Sequence, residues 1–174
     1  FRYGFVRGIL KENIYSELIA AFPDTGRFTL VDKQSGGGRK RFYVGPGYAS
    51  VKHYGCVCHL RRIAELWKGV VRESASAEFI GALSEATGVR FNSLCNFGFT
   101  YGDGGCIQEA HIDGAARSSD PSPIKATIAC LLYCNAKTGG VSGTRLYASD
   151  QKTILCEVPD LRNSLFFFEQ HPDA

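Results

Sequence analysis

The spacing of apolar residues changes near Phe91, and this change limits the folds open to the chain. Before it, residues 63–71 and 79–83 carry apolar stripes at helical spacing, separated by a Ser-rich break, and Gly88 is a C-terminal stop signal. After it come short apolar runs typical of strands, with Gly, Asp, Ser and Pro turns between them. The predicted strands cover residues 91–101, 125–133, 144–148, 153–158 and 164–168. Helices followed by short strands predict an α+β fold, with helices packed on one side of an antiparallel sandwich or barrel.

The N-terminal residues predict a strand and then an amphipathic helix. Residues 3–10 form a short apolar run. Residues 11–22 then carry Ile14, Leu18 and Phe22 at four-residue spacing, and Pro23 is expected to end that helix.

A long polar and Gly-rich stretch, residues 24–58, is predicted to be largely irregular, with one brief strand at 28–31. Its basic run, Arg39-Lys40-Arg41, is interpreted as a solvated loop, because no strand-to-helix context follows that would make it a phosphate-binding loop. The net charge of +3 is too small to indicate nucleic-acid binding.

Composition predicts a single globular domain over residues 1–174. The hydrophobic fraction of 44% and the charged fraction of 21% are ordinary for such a domain. No apolar run approaches the roughly 18 residues of a membrane span, and no signal peptide is visible.

The cysteines predict a reduced, cytoplasmic protein. Seven Cys is an odd number, and their spacing is not that of a disulfide scaffold. Cys56-Val57-Cys58-His59 resembles half a zinc site, but no second ligand pair at suitable spacing accompanies it, so zinc is not expected there.

The segment that most suggests chemistry is His111-Ile112-Asp113. In an extended segment, side chains two apart project from the same face, so the imidazole and the carboxylate are expected side by side. They would supply two ligands of a 2-His-1-carboxylate facial triad, which binds non-haem Fe(II) and leaves positions open for oxygen and a co-substrate. The tripeptide is weak evidence alone, but glycines flank it and several short strands follow.

The order of motifs around this tripeptide resembles the Fe(II)- and 2-oxoglutarate-dependent oxygenases, specifically their prolyl-4-hydroxylase-like branch and its bacterial members. Tyr101 and a Gly-rich turn precede His111, and a strand ending in Tyr133-Cys134-Asn135 follows. A Gly139-Gly140 turn, a strand that carries Arg145, and a Pro-containing turn before a Phe-rich strand complete the series. The resemblance covers nearly the whole chain and implies a double-stranded β-helix (jelly-roll, cupin-like) core with N-terminal helices on one side.

The resemblance also implies roles for individual residues. His111 and Asp113 correspond to iron ligands, and Tyr101 and Tyr133 to residues that hydrogen-bond the carboxylates of 2-oxoglutarate. Each Tyr could instead be an amphipathic core residue with a hydrated hydroxyl. Arg145 is interpreted as an exposed strand residue rather than one that contacts substrate or co-substrate.

The distal His of the family is the main departure. In the family it follows the Phe-rich strand after a hairpin turn, which in this chain corresponds to a position just beyond Ala174; the Arg or Lys that binds 2-oxoglutarate comes later still. His171 is the one alternative in this region, but it lies inside the expected turn. The sequence is therefore expected to be incomplete at the C-terminus of its oxygenase domain.

These features together predict an Fe(II)- and 2-oxoglutarate-dependent dioxygenase that uses O2, with ascorbate as a further candidate cofactor. Its predicted reaction hydroxylates an unactivated C–H bond of a small molecule or of an amino-acid or prolyl side chain, with release of succinate and CO2. Asp113 favours hydroxylation over halogenation, because halogenases of this superfamily carry Gly or Ala there. No nucleic-acid or membrane partner is expected.

Two alternatives remain open at this point. One is an iron-dependent oxidase on the same scaffold that does not use 2-oxoglutarate. The other is a non-catalytic jelly-roll binding module. The polar segments 24–55 and 115–122 are candidates for a lid over the substrate, since long loops on a rigid scaffold often carry binding.

Overall fold

Antiparallel strands and helices make up the regular structure of the chain, for which a computed structural model describes residues 2–24, 29–30, 39–43, 64–91, 97–102, 127–134 and 143–170. In chain order the elements are β1 (Tyr3–Arg7), α1 (Glu12–Ala20), β2 (Thr29–Leu30), β3 (Arg39–Tyr43), α2 (Glu65–Ser74), α3 (Ala77–Thr87), β4 (Gly98–Gly102), β5 (Thr127–Cys134), β6 (Arg145–Tyr147), β7 (Ile154–Glu157) and β8 (Arg162–Gln170). The fold is mixed α/β, and no sheet closes into a barrel within the described residues.

The chain divides into two compact units. The first, called unit 1, comprises Phe1–Ile19 and Ala110–Ala174, and the second, called unit 2, comprises Ala20–Glu109. Among the described residues, no helix has the length and apolar character needed to cross a membrane.

Unit 1 is organised around β8, the central strand of a sheet with the order β1-β8-β5. Both neighbours of β8 are antiparallel to it, and Phe166 is opposite Phe5 on one side and Leu131 on the other. Directly paired residues share a face of the sheet, so these three apolar side chains form a row across it. Phe166 is completely buried.

The hairpin of β6 and β7 packs against this face of the sheet. Leu146 of β6 and Val158, just after β7, are buried in one cluster with Phe166. The partly buried side chains around that cluster are Phe5, Leu131, Tyr133, Cys156, Leu161 and Phe168. Unit 1 therefore contains two layers of antiparallel strands with an apolar core between them.

A bulge at Asn163 bends the start of β8. Ser164 pairs with Tyr133 and Arg162 pairs with Cys134, so Asn163 is the extra residue, and its φ of 47° is in the left-handed region that Asn tolerates. Its Oδ1 accepts from the Leu10 amide at 3.0 Å, and its Nδ2 donates to the Leu10 carbonyl at 2.8 Å. The bulge thereby holds the turn between β1 and α1.

An ion pair connects helix α1 to the same end of β8. The Arg162 guanidinium donates to both carboxylate oxygens of Glu12, with 3.1 Å between Nη1 and Oε2. It also lies over the Tyr15 ring, 5.0 Å from the ring centroid, which is within the range of a cation–π interaction. Tyr15 and Leu18 are the buried residues of α1.

Unit 2 contains α2, α3 and a sheet with the order β2-β3-β4. Its described core is aromatic: Trp67 and Phe99 are buried and meet at 4.8 Å between ring centroids. Phe22 contacts both rings, at 5.8 Å from Trp67 and 5.5 Å from Phe99. All three pairs are edge-to-face, the geometry that brings the positive edge of one ring to the negative face of another.

The predicted start and end signals of α3 are confirmed. Ser76 caps α3 by accepting a hydrogen bond from the Phe79 amide at 3.1 Å. Gly88 ends the helix in the left-handed conformation, with φ of 66°, where a side chain would be strained.

Helix α1 covers Glu12–Ala20, within two residues of the predicted span 11–22 at each end. One expectation from the sequence is wrong. The basic run Arg39-Lys40-Arg41 lies in strand β3 rather than in a loop, since its backbone pairs with that of β4. The backbone of charged residues can pair in a sheet as well, so the basic composition of this run led to the wrong prediction of a loop.

Loss of the Asn163 side chain is expected to destabilise the protein through its two bonds to Leu10. Asn163→Gly keeps the backbone conformation and loses both bonds, so the free energy of unfolding should fall by about 1–3 kcal/mol. Asn163→Ala should be lower still, because it adds left-handed strain of roughly 1 kcal/mol. Urea denaturation measures both, with Asn13→Ala on the exposed face of α1 as the control. A Gly variant as stable as the wild type would contradict this role.

The pair of Glu12 and Arg162 predicts a pH-dependent contribution to stability. The hydrogen bond from Arg162 is the main effect that lowers the pKa of Glu12 below the ordinary 4.5, and the positive charge of the Arg162 guanidinium lowers it further. The pair therefore stabilises the fold above that ordinary value, and the stabilisation is lost as pH falls through the lowered pKa. Glu12→Gln should be less stable than wild type at pH 7, and the difference should disappear in acid.

Urea denaturation across this pH range tests the pair. The matched control is Glu17→Gln, which removes an exposed carboxylate from the same helix and leaves the pair of Glu12 and Arg162 intact. A difference for Glu12→Gln that is constant with pH would show that the carboxylate does not act through its charge.

Candidate functional site

The predicted iron ligands lie outside the described residues. This applies to His111 and Asp113 and to the alternative third ligand, His171. Tyr101 lies in β4 opposite Lys40, although its side chain is outside what the structure describes. In the described ranges, no group of three or more His, Cys, Asp or Glu side chains is arranged to hold a metal ion.

Tyr133 is the one predicted site residue whose side chain is described. It lies in β5 opposite Ser164, on the face of the sheet that packs against the hairpin of β6 and β7. Its ring is partly buried against the core cluster. Ser164 is fully buried, and its hydroxyl donates to the Asp160 carbonyl at 2.7 Å. The ring of Tyr133 therefore has a small, hydrogen-bonded neighbour on the central strand.

Within the described part of the chain, Thr144 holds the hydroxyl of Tyr133. The two side-chain oxygens are 2.6 Å apart, and the Tyr133 hydroxyl donates to Thr144 Oγ1. The Thr144 amide donates to the phenol oxygen at 3.3 Å. The Thr144 carbonyl in turn accepts from the Val158 amide at 3.1 Å, which continues the β6–β7 pairing by one residue. Thr144 is thus fixed by its backbone while it contacts Tyr133 twice.

Gly143 lets the chain approach the core just before Thr144. A Cβ at this position would lie 2.4 Å from Cδ2 of Leu161 and 3.2 Å from Cβ of Val158. Even alanine would force a neighbour to move, so the lack of a side chain at Gly143 sets where Thr144 meets Tyr133.

Burial determines the charge state of the Tyr133 phenol. It raises the pKa of Tyr133 above the ordinary value of 10, against the opposing effect of the two hydrogen bonds with Thr144. Tyr133 is therefore a neutral phenol at physiological pH, with one proton to donate and two lone pairs that accept. A neutral phenol inside an apolar layer is suited to donating a hydrogen bond to a carboxylate.

The neighbouring thiol of Cys134 is also kept neutral by burial. Burial raises the pKa of Cys134 to about 12, and its Sγ faces the Leu132 carbonyl at 3.7 Å. A thiol this weakly acidic stays protonated, and it is the thiolate that attacks electrophiles or binds metals. Cys134 therefore behaves as a small apolar residue.

Arg145 is an exposed strand residue, as predicted. It lies opposite Glu157 across the β6–β7 hairpin, and its Nη2 is 3.0 Å from the Glu157 carboxylate. The positive charge of Arg145 is thus used within the hairpin.

The sequence did not single out Thr144 as a partner of Tyr133. The two residues are eleven positions apart; Tyr133 lies in β5, and Thr144 directly precedes β6, which belongs to a different sheet. Their contact depends on how the β6–β7 hairpin packs over the β1-β8-β5 sheet, for which no local sequence signal exists. The Gly at 143 is the only local hint, since Gly often marks a close approach of the backbone.

No protein-family model matches the chain, and no match was found among curated proteins or solved structures. The chemistry of its own residues therefore has to carry any functional interpretation.

The close approach at Gly143 predicts a specific pattern of stabilities. Gly143→Ala should lower the free energy of unfolding by about 1–3 kcal/mol, because its methyl group would overlap Leu161. Leu161→Ala removes the overlapping atoms, so the double variant should be more stable than the sum of the single effects predicts. Denaturant unfolding of all four proteins measures this coupling.

The control for this cycle is Gly81→Ala in α3. A Cβ there meets no atom within 4 Å, and alanine favours helix, so that change should be neutral or stabilising by up to about 1 kcal/mol. Strictly additive effects of Gly143→Ala and Leu161→Ala would show that the overlap is relieved in some other way.

Proposed function

We propose that the protein is a non-haem Fe(II)- and 2-oxoglutarate-dependent dioxygenase with a double-stranded β-helix core. In this proposal it hydroxylates an unactivated C–H bond of a small molecule or of an amino-acid or prolyl side chain. Succinate and CO2 are the co-products.

The observation that carries the proposal is the order of motifs along the chain. Tyr101, a Gly-rich turn and His111-Ile112-Asp113 are followed by a strand that ends at Tyr133-Cys134 and, later, by the Phe-rich β8. Any one of these motifs arises easily by chance. Their order and spacing together are much more specific.

Two features of the described residues support the proposal. Unit 1 contains two layers of antiparallel strands with an apolar core between them, which is compatible with half of a jelly roll. The phenol of Tyr133 lies against this core and is neutral, so its chemistry suits a carboxylate of 2-oxoglutarate.

The donor atoms of the proposed iron site also suit Fe(II). His111 would contribute an imidazole nitrogen and Asp113 a carboxylate oxygen, the mixture of ligands typical of non-haem iron sites. The third ligand would be another histidine, for which His171 is a candidate. The intact carboxylate at Asp113 would leave no iron position for a halide, which favours hydroxylation.

The protein residues would bind and orient, while the bound iron and 2-oxoglutarate supply the oxidation of the C–H bond by O2. His111 and Asp113 would hold the ion from one side. Tyr133 and Tyr101 would donate hydrogen bonds to the carboxylates of the co-substrate and so fix its orientation. Such positioning contributes to rate because it removes the entropic cost of aligning the reactants.

Succinate formation tests the proposal. The full-length protein is supplied with Fe(II), 2-oxoglutarate and a panel of amino acids, peptides and small metabolites, and succinate is measured. His111→Ala and Asp113→Ala should each reduce its formation by more than about 100-fold, since loss of a ligand costs more than loss of a supporting residue. His59→Ala, which lies outside both candidate lid segments and has no assigned role, is the control and should retain activity.

The same experiment separates the alternatives. Undiminished turnover in His111→Ala or Asp113→Ala would contradict the site assignment. Product formation without 2-oxoglutarate would identify an iron-dependent oxidase. Failure to bind Fe(II) or Mn(II) in an anaerobic titration would favour a non-catalytic binding module. Comparison of His171→Ala with wild type in that titration tests His171 as the third ligand.

A further inference from the structure

We propose that Thr144 is a positioning residue for the co-substrate, and that its hydroxyl reverses its hydrogen bond with Tyr133 when a carboxylate binds at the Tyr133 phenol. This inference rests on the proposed function, because it takes 2-oxoglutarate as the carboxylate. It adds a residue that the motif pattern does not assign and a way for Tyr133 to become a donor.

The need for a reversal follows from the proton count on the phenol. Tyr133 has one hydroxyl proton, and the 2.6 Å between its oxygen and Thr144 Oγ1 fits donation by either hydroxyl. While Tyr133 is the donor, its phenol has no proton left for a carboxylate. Thr144 also carries a hydroxyl proton, so the pair can exchange roles: Thr144 donates to Tyr133, and Tyr133 donates to the ligand. Only the two O–H bonds rotate, and the oxygen atoms stay where they are.

The reversed state uses every hydrogen-bonding position of the phenol. Its oxygen would accept from the Thr144 amide, already at 3.3 Å, and from the Thr144 hydroxyl, while its own proton goes to the carboxylate. Two donors on the phenol oxygen polarise its O–H bond and strengthen the hydrogen bond that it donates. Thr144 therefore both orients the ring oxygen and improves it as a donor.

Both residues are held firmly enough for this role. The Thr144 carbonyl accepts from the Val158 amide at 3.1 Å, and Gly143 brings the backbone close to Leu161. The Tyr133 ring packs against the core cluster that contains Phe166. A preorganised donor of this kind does not have to be ordered again when the ligand arrives.

The first test removes the Thr144 hydroxyl at constant shape. Thr144→Val is compared with Thr144→Ser, which keeps the hydroxyl, and 2-oxoglutarate affinity is measured anaerobically in the full-length protein loaded with Fe(II). We expect the Kd to rise about tenfold in Thr144→Val and to stay near wild type in Thr144→Ser. In turnover, KM for 2-oxoglutarate should rise while kcat changes little. Thr153→Val is the control, since the Thr153 hydroxyl bonds only the nearby Asp150 in an exposed turn.

The second test asks whether Thr144 acts through Tyr133. In a Tyr133→Phe background, Thr144→Val should cause no further loss of 2-oxoglutarate affinity. A separate readout needs no turnover: ¹³C NMR of the ring carbon that carries the hydroxyl, assigned with Tyr133→Phe, follows ionisation of the phenol. Its pKa should rise in Thr144→Val, because the hydrogen bond with Thr144 opposes the effect of burial.

Several outcomes would overturn the inference. An unchanged Kd in Thr144→Val would show that Thr144 does not position the phenol. The same would follow if Thr144→Val lowered 2-oxoglutarate affinity as much in the Tyr133→Phe background as in the wild type. If the wild type turns over 2-oxoglutarate but Thr144→Val and Thr144→Ser bind it with the same Kd, only this inference fails. If the metal-loaded wild type does not bind 2-oxoglutarate at all, the proposed function and this inference fail together.

Discussion

Strand β8 holds unit 1 together, because it pairs on both sides while Phe166 fills the core beneath it. On one side it pairs with β1, from the first segment of unit 1, and on the other side with β5, from the second segment. The hairpin of β6 and β7 closes over the same face. The bulge at Asn163 then turns the start of β8 toward Leu10 and helix α1. The sheet, the apolar core and the attachment of α1 all depend on this one strand.

The elements that the sequence predicts well are those set by neighbouring residues. The boundaries of α3 follow from Ser76 and Gly88, whose side chain and backbone satisfy the helix ends locally. The strands β5 to β8 follow from short apolar runs between turns. Strand β3 was missed because its partner β4 is distant in the sequence, and the composition of β3 does not reveal such a partner. The bulge at Asn163 was missed for the same reason.

The candidate site divides in the same way. Tyr133 is predictable from the motif order, and its burial on the core face follows from strand alternation. Its contact with Thr144 is not, since it depends on the packing of one sheet over another. The proposed ligands His111 and Asp113 remain a prediction from sequence, as they lie outside the described residues. The chemistry of the phenol is therefore what the fold adds to the functional argument.

The pairing of β1 with β8 has a consequence for how the protein is made. Tyr3 lies opposite Phe168, so more than nine-tenths of the sequence separates the two partners. The segment that contains β8 must leave the ribosome before this ladder can form, whereas unit 2 is one continuous segment that emerges earlier. Contacts this distant in sequence are slow to form, because a long loop has to close first. Until then β1 has no partner strand. During this stage of synthesis the unpaired strand can aggregate or bind chaperones.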